Sequence, residues 1–260
     1  LHMTDNNKLF KQAPGPGRVP LYEGKMIHQF TANFAAPRYW VDEAEAREVL
    51  LSARIRQIRR VASETGYVLQ DMEGPDCLDY ECYRIAYRSI GRGTDERAMI
   101  ATILPPRTVS GHSLNISERF EDVARDSALL TKCLISDSEL LFLLSLLDSF
   151  VVDYSLRLRI AANITMFYIY QLPVPRYGPG DRFFAEIVER AAKLVCTTPA
   201  FDDLAQAVRL GSHEQGVTNG VQRARLRAEL DGMIAHLYGL TEDEFAHVLG
   251  TFPIVPEPVK

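Results

Sequence analysis

Residues 83–106 read YRIAYRSIGRGTDERAMIATILPP, and the alternation in this stretch decides the fold class. Tyr83, Ile85, Tyr87 and Ser89 fall on one side of a period of two, and Arg84, Ala86, Arg88 and Ile90 on the other, which is the spacing of a β-strand. A glycine-rich turn from Gly91 to Thr94 leads into a second apolar strand, Met99 to Leu104, stopped by Pro105 and Pro106. The unit reads as an antiparallel hairpin with an arginine-lined side and a polar loop carrying Arg92, Thr94, Asp95, Glu96 and Arg97. Gly111 to Ile116 is expected to be a further strand.

Outward from the hairpin the period changes. SDSELLFLLSLLDSFVVDYSLRLRI (136–160) opens on Ser-Asp-Ser before Glu139, a helix-start signature, and is dense in apolar residues, which predicts one long buried helix. Phe142, Leu146 and Phe150 are assigned to the core, with Phe167 and Leu172 beyond them. ITMFYIYQLPV (164–174) reads as a strand ended by Pro173 and Pro175. Upstream, Asp42 followed by Glu43 and Glu45 starts a helix over 42–62 with a basic face (Arg54, Arg56, Arg59, Arg60), and Tyr39-Trp40 before it fits a strand end. Residues 21–34 suggest short strands. Downstream, helices are expected over 181–195, 200–210 and 221–238, with a last one capped by Thr241. The expected fold is mixed α+β: a linker or tag remnant at 1–20, an α/β unit at 21–177 with an antiparallel or mixed sheet packed on a buried helix, and a helical region at 178–260.

The 260 residues are 47% hydrophobic and 24% charged with a formal net charge of −5, the values of an ordinary globular chain. That balance argues against a wholly basic nucleic-acid binder, but it is uneven along the chain. Residues 1–119 carry 16 basic and 15 acidic side chains, and residues 120–260 carry 13 and 19. Arginine outnumbers lysine 23 to 6; a GC-rich genome gives the same bias, while arginine is also the side chain suited to bidentate phosphate and guanine contacts. The apolar run at 140–152 is broken by Ser145 and Asp148 and is too short to span a bilayer.

Motifs for catalysis are absent from the sequence. There is no phosphate loop, no His-Glu-x-x-His, no Gly-x-Ser-x-Gly and no zinc-deaminase pattern. The six histidines are scattered, and Cys77, Cys82, Cys133 and Cys196 lack zinc-site spacing, so the cysteines read as reduced thiols of a cytoplasmic protein. No metal site and no cofactor site are expected. Five arginines (84, 88, 92, 97, 107) and His112 crowd the strand-loop-strand unit, as base-edge and phosphate contacts require. On an open sheet face the same residues could equally pair with Asp95 or Glu96 and do nothing more. The opening Leu1-His2-Met3 looks like a cloning junction before a start-like methionine.

LYEGKMIHQF (21–30), the 83–106 stretch, LLFLLSLLDSFVVDYSLRLRIAANITMFYIYQLPVP (140–175) and RAELDGMIAHLYGLTEDEFAHVLGTFP (227–253) together resemble the C-terminal target recognition region of type IIG-like restriction-modification enzymes and related adenine-specific DNA methylases. The middle block also resembles the recognition halves of type I specificity subunits. The resemblance implies a domain that reads duplex DNA while a methylase region of the same polypeptide flips out and methylates an adenine, using S-adenosylmethionine. The family's Asn-Pro-Pro-aromatic and glycine-rich cofactor motifs are missing, as is a nuclease motif, so catalysis is expected upstream and this chain alone is expected not to be an enzyme. Arg84, Arg88, Arg92, Thr94, Asp95, Arg97 and His112 are the residues implied for DNA contact, with Tyr87 and Asn163 added. The alternative is a docking module of a phage-defence complex, with the acidic helical tail as its docking face.

Overall fold

The computed structural model describes residues 7–65, 77–125, 128–252 and 254–255. The fold is mixed α+β. Strand β1 (Arg18–Tyr22) is central in a three-stranded sheet, antiparallel to β2 (Tyr39–Asp42) and parallel to β5 (Val109–Ser110). A second sheet centres on β3 (Arg84–Arg88), antiparallel to both β4 (Ala101–Leu104) and β6 (Leu114–Ile116). The Arg84↔Leu104 and Tyr87↔Ala101 pairs make the expected hairpin. A separate ribbon joins β7 (Phe120–Arg125) to β8 (Ala128–Cys133).

Helix α1 (Glu43–Thr65) follows β2 directly, with Glu43 and Glu45 in its first turn where the N-terminal dipole favours them. The apolar stretch forms two helices, α2 (Asp137–Leu147) and α3 (Phe150–Arg157), where the sequence predicts one. Ser136 caps α2 by accepting the Glu139 N–H at 3.3 Å, and Glu139 returns the bond to the Ser136 N–H at 2.8 Å. The break falls at Asp148-Ser149 because Ser149 caps the second helix, accepting the Val152 N–H at 3.2 Å. The Asp148 carboxylate meanwhile accepts the N–H groups of Phe30 and Ala101.

The strand expected at 164–174 is instead a single helical turn, α4 (Met166–Ile169). Its backbone bonds close locally, Tyr170 N–H to Met166 C=O at 2.9 Å, and in the preceding residues only Asn163 makes a bridge, to Ile90. A short apolar run bounded by prolines does not by period alone distinguish these outcomes. Phe167, assigned to the core, is 66% exposed on this turn. Phe142, Leu146, Phe150 and Leu172 are buried as expected.

The C-terminal region is helical as predicted: α5 (Phe184–Val195), α6 (Asp202–Ala207), α7 (Gly220–Leu237) and α8 (Glu242–Gly250), the last capped by Thr241. No break in packing falls between residues 177 and 178. One hydrophobic core runs from Tyr22 to Ile234, and Phe142 of α2 stacks on Phe184 of α5 with ring centres 5.0 Å apart. Tyr83 donates its hydroxyl to Ala200 C=O at 3.0 Å and accepts the Leu204 N–H at 3.3 Å.

The expected linker over 1–20 is also corrected. Residues 1–6 lie outside the described residues, but Lys11 bridges Trp40 and Val19 is 4% exposed in a second core beneath α1. The Pro-Gly run makes the turn into β1, with Gly17 at φ +69°, a left-handed conformation that glycine takes without strain. Among the described residues no helix is long and apolar enough to cross a membrane.

Candidate nucleic-acid interface

The nine residues expected at a duplex divide into an inner and an outer set. Arg84 lies 4% exposed in β3 and donates through one terminal nitrogen to the Thr108 carbonyl and hydroxyl, at 2.8 and 2.9 Å. Burial lowers its pKa to about 10. Arg88 donates from Nε to the Gly24 carbonyl at 2.9 Å and from a terminal nitrogen to the Ile27 carbonyl at 2.6 Å. Tyr87 is buried with its hydroxyl 3.2 Å from the Met166 sulfur, and burial pushes the phenol up to about 12. Arg97 is buried against the Asp153 carboxylate at 3.0 Å, donates to the Asp148 carbonyl, and stacks over the Phe150 ring at 3.9 Å. Arg84, Tyr87 and Arg97 are buried and Arg88 is half-buried, and each is held by partners within the fold. The alternation misled because β3 is covered along both faces, so its period of two separates two buried sides rather than a wet one from a dry one.

The outer set gathers at one end of the β4-β3-β6 sheet. Arg92, Thr94 and Asp95 are exposed on the β3–β4 loop. The Asp95 carboxylate accepts the Arg92 N–H at 2.9 Å and closes the loop on itself. Asn163 is exposed on the segment that pairs with the loop base: Gly91 N–H donates to Ala162 C=O, and Ile164 N–H to Ser89 C=O, both at 2.9 Å. His112 is exposed on the adjoining turn, where Ser89 N–H donates to Ser113 C=O at 3.0 Å. Arg107, also in the arginine cluster, pairs with Glu43 of α1 instead.

The loop is braced from beneath. Arg157 donates to the Asp95 carbonyl at 2.7 Å and to the Thr251 carbonyl at 3.1 Å, its guanidinium lying over the Phe252 ring. A Cβ on Gly91 would stand 2.2 Å from the Ala98 carbonyl oxygen, and one on Gly93 3.1 Å from the Arg157 carbonyl oxygen. Both glycines are therefore sites of close backbone packing. The Gly91-Arg92-Gly93 turn has no open cradle for a nucleoside, and it does not fit S-adenosylmethionine.

No family model and no curated protein matches the chain. The arrangement must accordingly be read from its own geometry.

Sequence reasoning did not identify two groups that the fold places near this end. Leu158, Phe167 and Tyr170 are 70%, 66% and 82% exposed on the segment that carries Asn163, although the sequence assigns Phe167 to the core. The second group is interior. Asp148, Asp153 and Asp231 lie buried around Arg97, and Asp148 and Asp231 line a cavity of about 100 Å³ together with Gln29, Ser145 and Ser149. Burial raises all three carboxyls, Asp231 to about 6, against the opposing pull of Arg97. Each accepts backbone N–H groups: Phe30 and Ala101 on Asp148, Ala98 and Met99 on Asp153, Phe150 on Asp231. The signal for this interior group in the sequence is Asp148 within the apolar run 140–152. Among the described residues no cluster of three or more His, Cys, Asp or Glu side chains could hold a metal ion.

Proposed function

We propose that the chain is a DNA target recognition unit that holds duplex DNA for an adenine-methylating catalytic region on the same polypeptide, where S-adenosylmethionine binds. The observation that carries this reading is the braced end of the sheet. Arg92, Thr94, Asp95, Asn163 and His112 come from three separate segments to one exposed end, on a loop whose base is fixed by backbone pairing and by Arg157. Exposed polar side chains on a fixed base suit base-edge and phosphate contacts, because little conformational freedom is lost on binding. The sequence blocks resembling restriction-modification enzymes support the same reading. Of these nine residues, Arg92 is the exposed arginine on the loop, whereas Arg84, Arg88 and Arg97 spend their donors on Thr108, on Gly24 and Ile27, and on Asp148 and Asp153.

The test is duplex binding by the full chain, with and without a methylase region of the resembling family supplied in cis. Binding should weaken with rising salt. Arg92→Ala should reduce affinity about 10-fold while leaving the melting temperature unchanged. Absence of duplex binding at low salt, even with the methylase region joined, refutes the proposal.

The exposed Leu158, Phe167 and Tyr170 favour a second reading, a docking module without base readout. Under it, Tyr170→Ala weakens association with a protein partner while Arg92→Ala has no effect on duplex binding.

A further inference from the structure

Cys77 and Cys82 bracket a single 3₁₀ turn, and their sulfur atoms stand 3.7 Å apart, both half-buried. The turn is held by more than its own residues. Within it, Glu81 N–H donates to Leu78 C=O at 2.9 Å, Cys82 N–H to Asp79 C=O at 3.2 Å, and the Glu81 carboxylate accepts the Leu78 N–H at 2.8 Å. From outside, the Asp79 carboxylate accepts the N–H groups of Arg119 and Phe120, at 2.6 and 3.2 Å, and Tyr80 C=O accepts the Arg107 N–H at 2.8 Å. Leu78 and Tyr80 are buried in the core beneath α1. The remainder of the fold therefore keeps the two thiols in contact, although four residues separate them in sequence. The other thiols have no such neighbour: Cys133 is exposed with its sulfur 3.2 Å from the Ile135 carbonyl, and Cys196 is buried in the main core.

We propose that Cys77 and Cys82 form an intramolecular disulfide when the chain meets a low-molecular-weight disulfide such as oxidised glutathione. Burial and the contact with Cys82 push the Cys77 thiol up to about 12, and the 3.7 Å contact puts each sulfur within reach of the other. The thiolate of either cysteine attacks one sulfur of glutathione disulfide, forming a mixed disulfide and releasing one glutathione thiolate. The second cysteine then loses its proton to solvent and attacks the sulfur of the first, forming the Cys77–Cys82 bond and expelling the second glutathione. Two protein thiols are oxidised and one glutathione disulfide is reduced to two thiols. Closing the bond takes the sulfurs from 3.7 Å to about 2.05 Å. The product braces the entry to β3 against the core beneath α1.

The experiment equilibrates the full chain in glutathione redox buffers, quenches with an alkylating agent and weighs the tryptic peptide Val61–Arg84, which holds both cysteines. The bridged peptide should appear two hydrogens lighter and unalkylated. The equilibrium constant for bridging should be about tenfold or more larger in the native chain than in the same chain in guanidinium, because only the fold holds the sulfurs together. Cys82→Ser should abolish the lighter species, and Cys133→Ser should leave it unchanged. Equal constants in native and denatured chains, or two alkylated or separately glutathionylated sulfurs at every buffer poise, would overturn the assignment.

Discussion

The Arg97 guanidinium lies 3.0 Å from the Asp153 carboxylate, with 8% of the first side chain and none of the second open to solvent. A buried ion pair is weak evidence of net stabilisation, but removing one member leaves the other charge uncompensated. Here the loss is aggravated by Asp148 and Asp231 nearby. Arg97→Ala should therefore destabilise the fold by about 3–5 kcal/mol in urea titrations. Arg92→Ala, on the same loop but exposed, should change stability by less than about 0.5 kcal/mol. If both substitutions behave alike, the division into inner and outer arginines is wrong.

Gly91→Ala should be disruptive despite its small volume. The added carbon would meet the Ala98 carbonyl oxygen at 2.2 Å and the Ile164 side chain at 2.9 Å, so backbone must shift. A cost of about 1–3 kcal/mol is expected. Amide exchange should accelerate at Gly91 and Ile164, whose N–H groups pair the loop base with the 162–164 segment.

Asp231 gives the fold a pH dependence of definite sign. Its carboxyl is raised from 3.8 to about 6 by burial, so the folded chain holds its proton more tightly than the unfolded one. The penalty for burying its charge is present in full above about pH 6 and disappears as pH falls toward 4. Asp148 and Asp153 act in the same direction. Glu139 and Asp202 are lowered by their hydrogen bonds, to Ser136 and His213 respectively, and lose stability only below their ordinary range near pH 4. The buried carboxyls thus contribute a rise in melting temperature between pH 7 and 5, opposed over the same range by His28, whose pKa burial lowers, and stability falls below about 4. Asp231→Asn keeps an acceptor for the Phe150 N–H and should flatten the rise, adding about 2–3 kcal/mol at pH 7. Thermal denaturation of both proteins across this range checks it.

A chain ending at residue 177 should not fold on its own. It would strip α5 from α2, expose Phe142 where Phe184 now stacks, and leave Tyr83 without its partners at Ala200 and Leu204. Circular dichroism and amide exchange on the truncated chain should show loss of the cooperative fold rather than an intact sheet domain.

How much of this was legible in the sequence depended on whether the signal was local. The β3–β4 hairpin, the Ser136 and Thr241 caps and the C-terminal helices rest on residues close in sequence, and each was found. The break at Asp148-Ser149 and the single turn at Met166–Ile169 depend on contacts made elsewhere in the chain, as does the burial of β3 on both faces. The site divided for the same reason. The exposure of Arg92 follows from its place in a polar glycine-rich loop, and Asn163 is named through the family resemblance alone, whereas the inward course of Arg84, Arg88 and Arg97 depends on carbonyls at Thr108, Gly24, Ile27 and Asp148.

The Asp148 carboxylate links the backbone of Phe30, 118 residues away, to that of Ala101, 47 residues away. Each tie closes its own long loop, so the joint as a whole requires both closures and is not a local contact. The unfolded ensemble gains nothing from it, and a substitution there should chiefly speed unfolding while leaving the folding rate nearly unchanged.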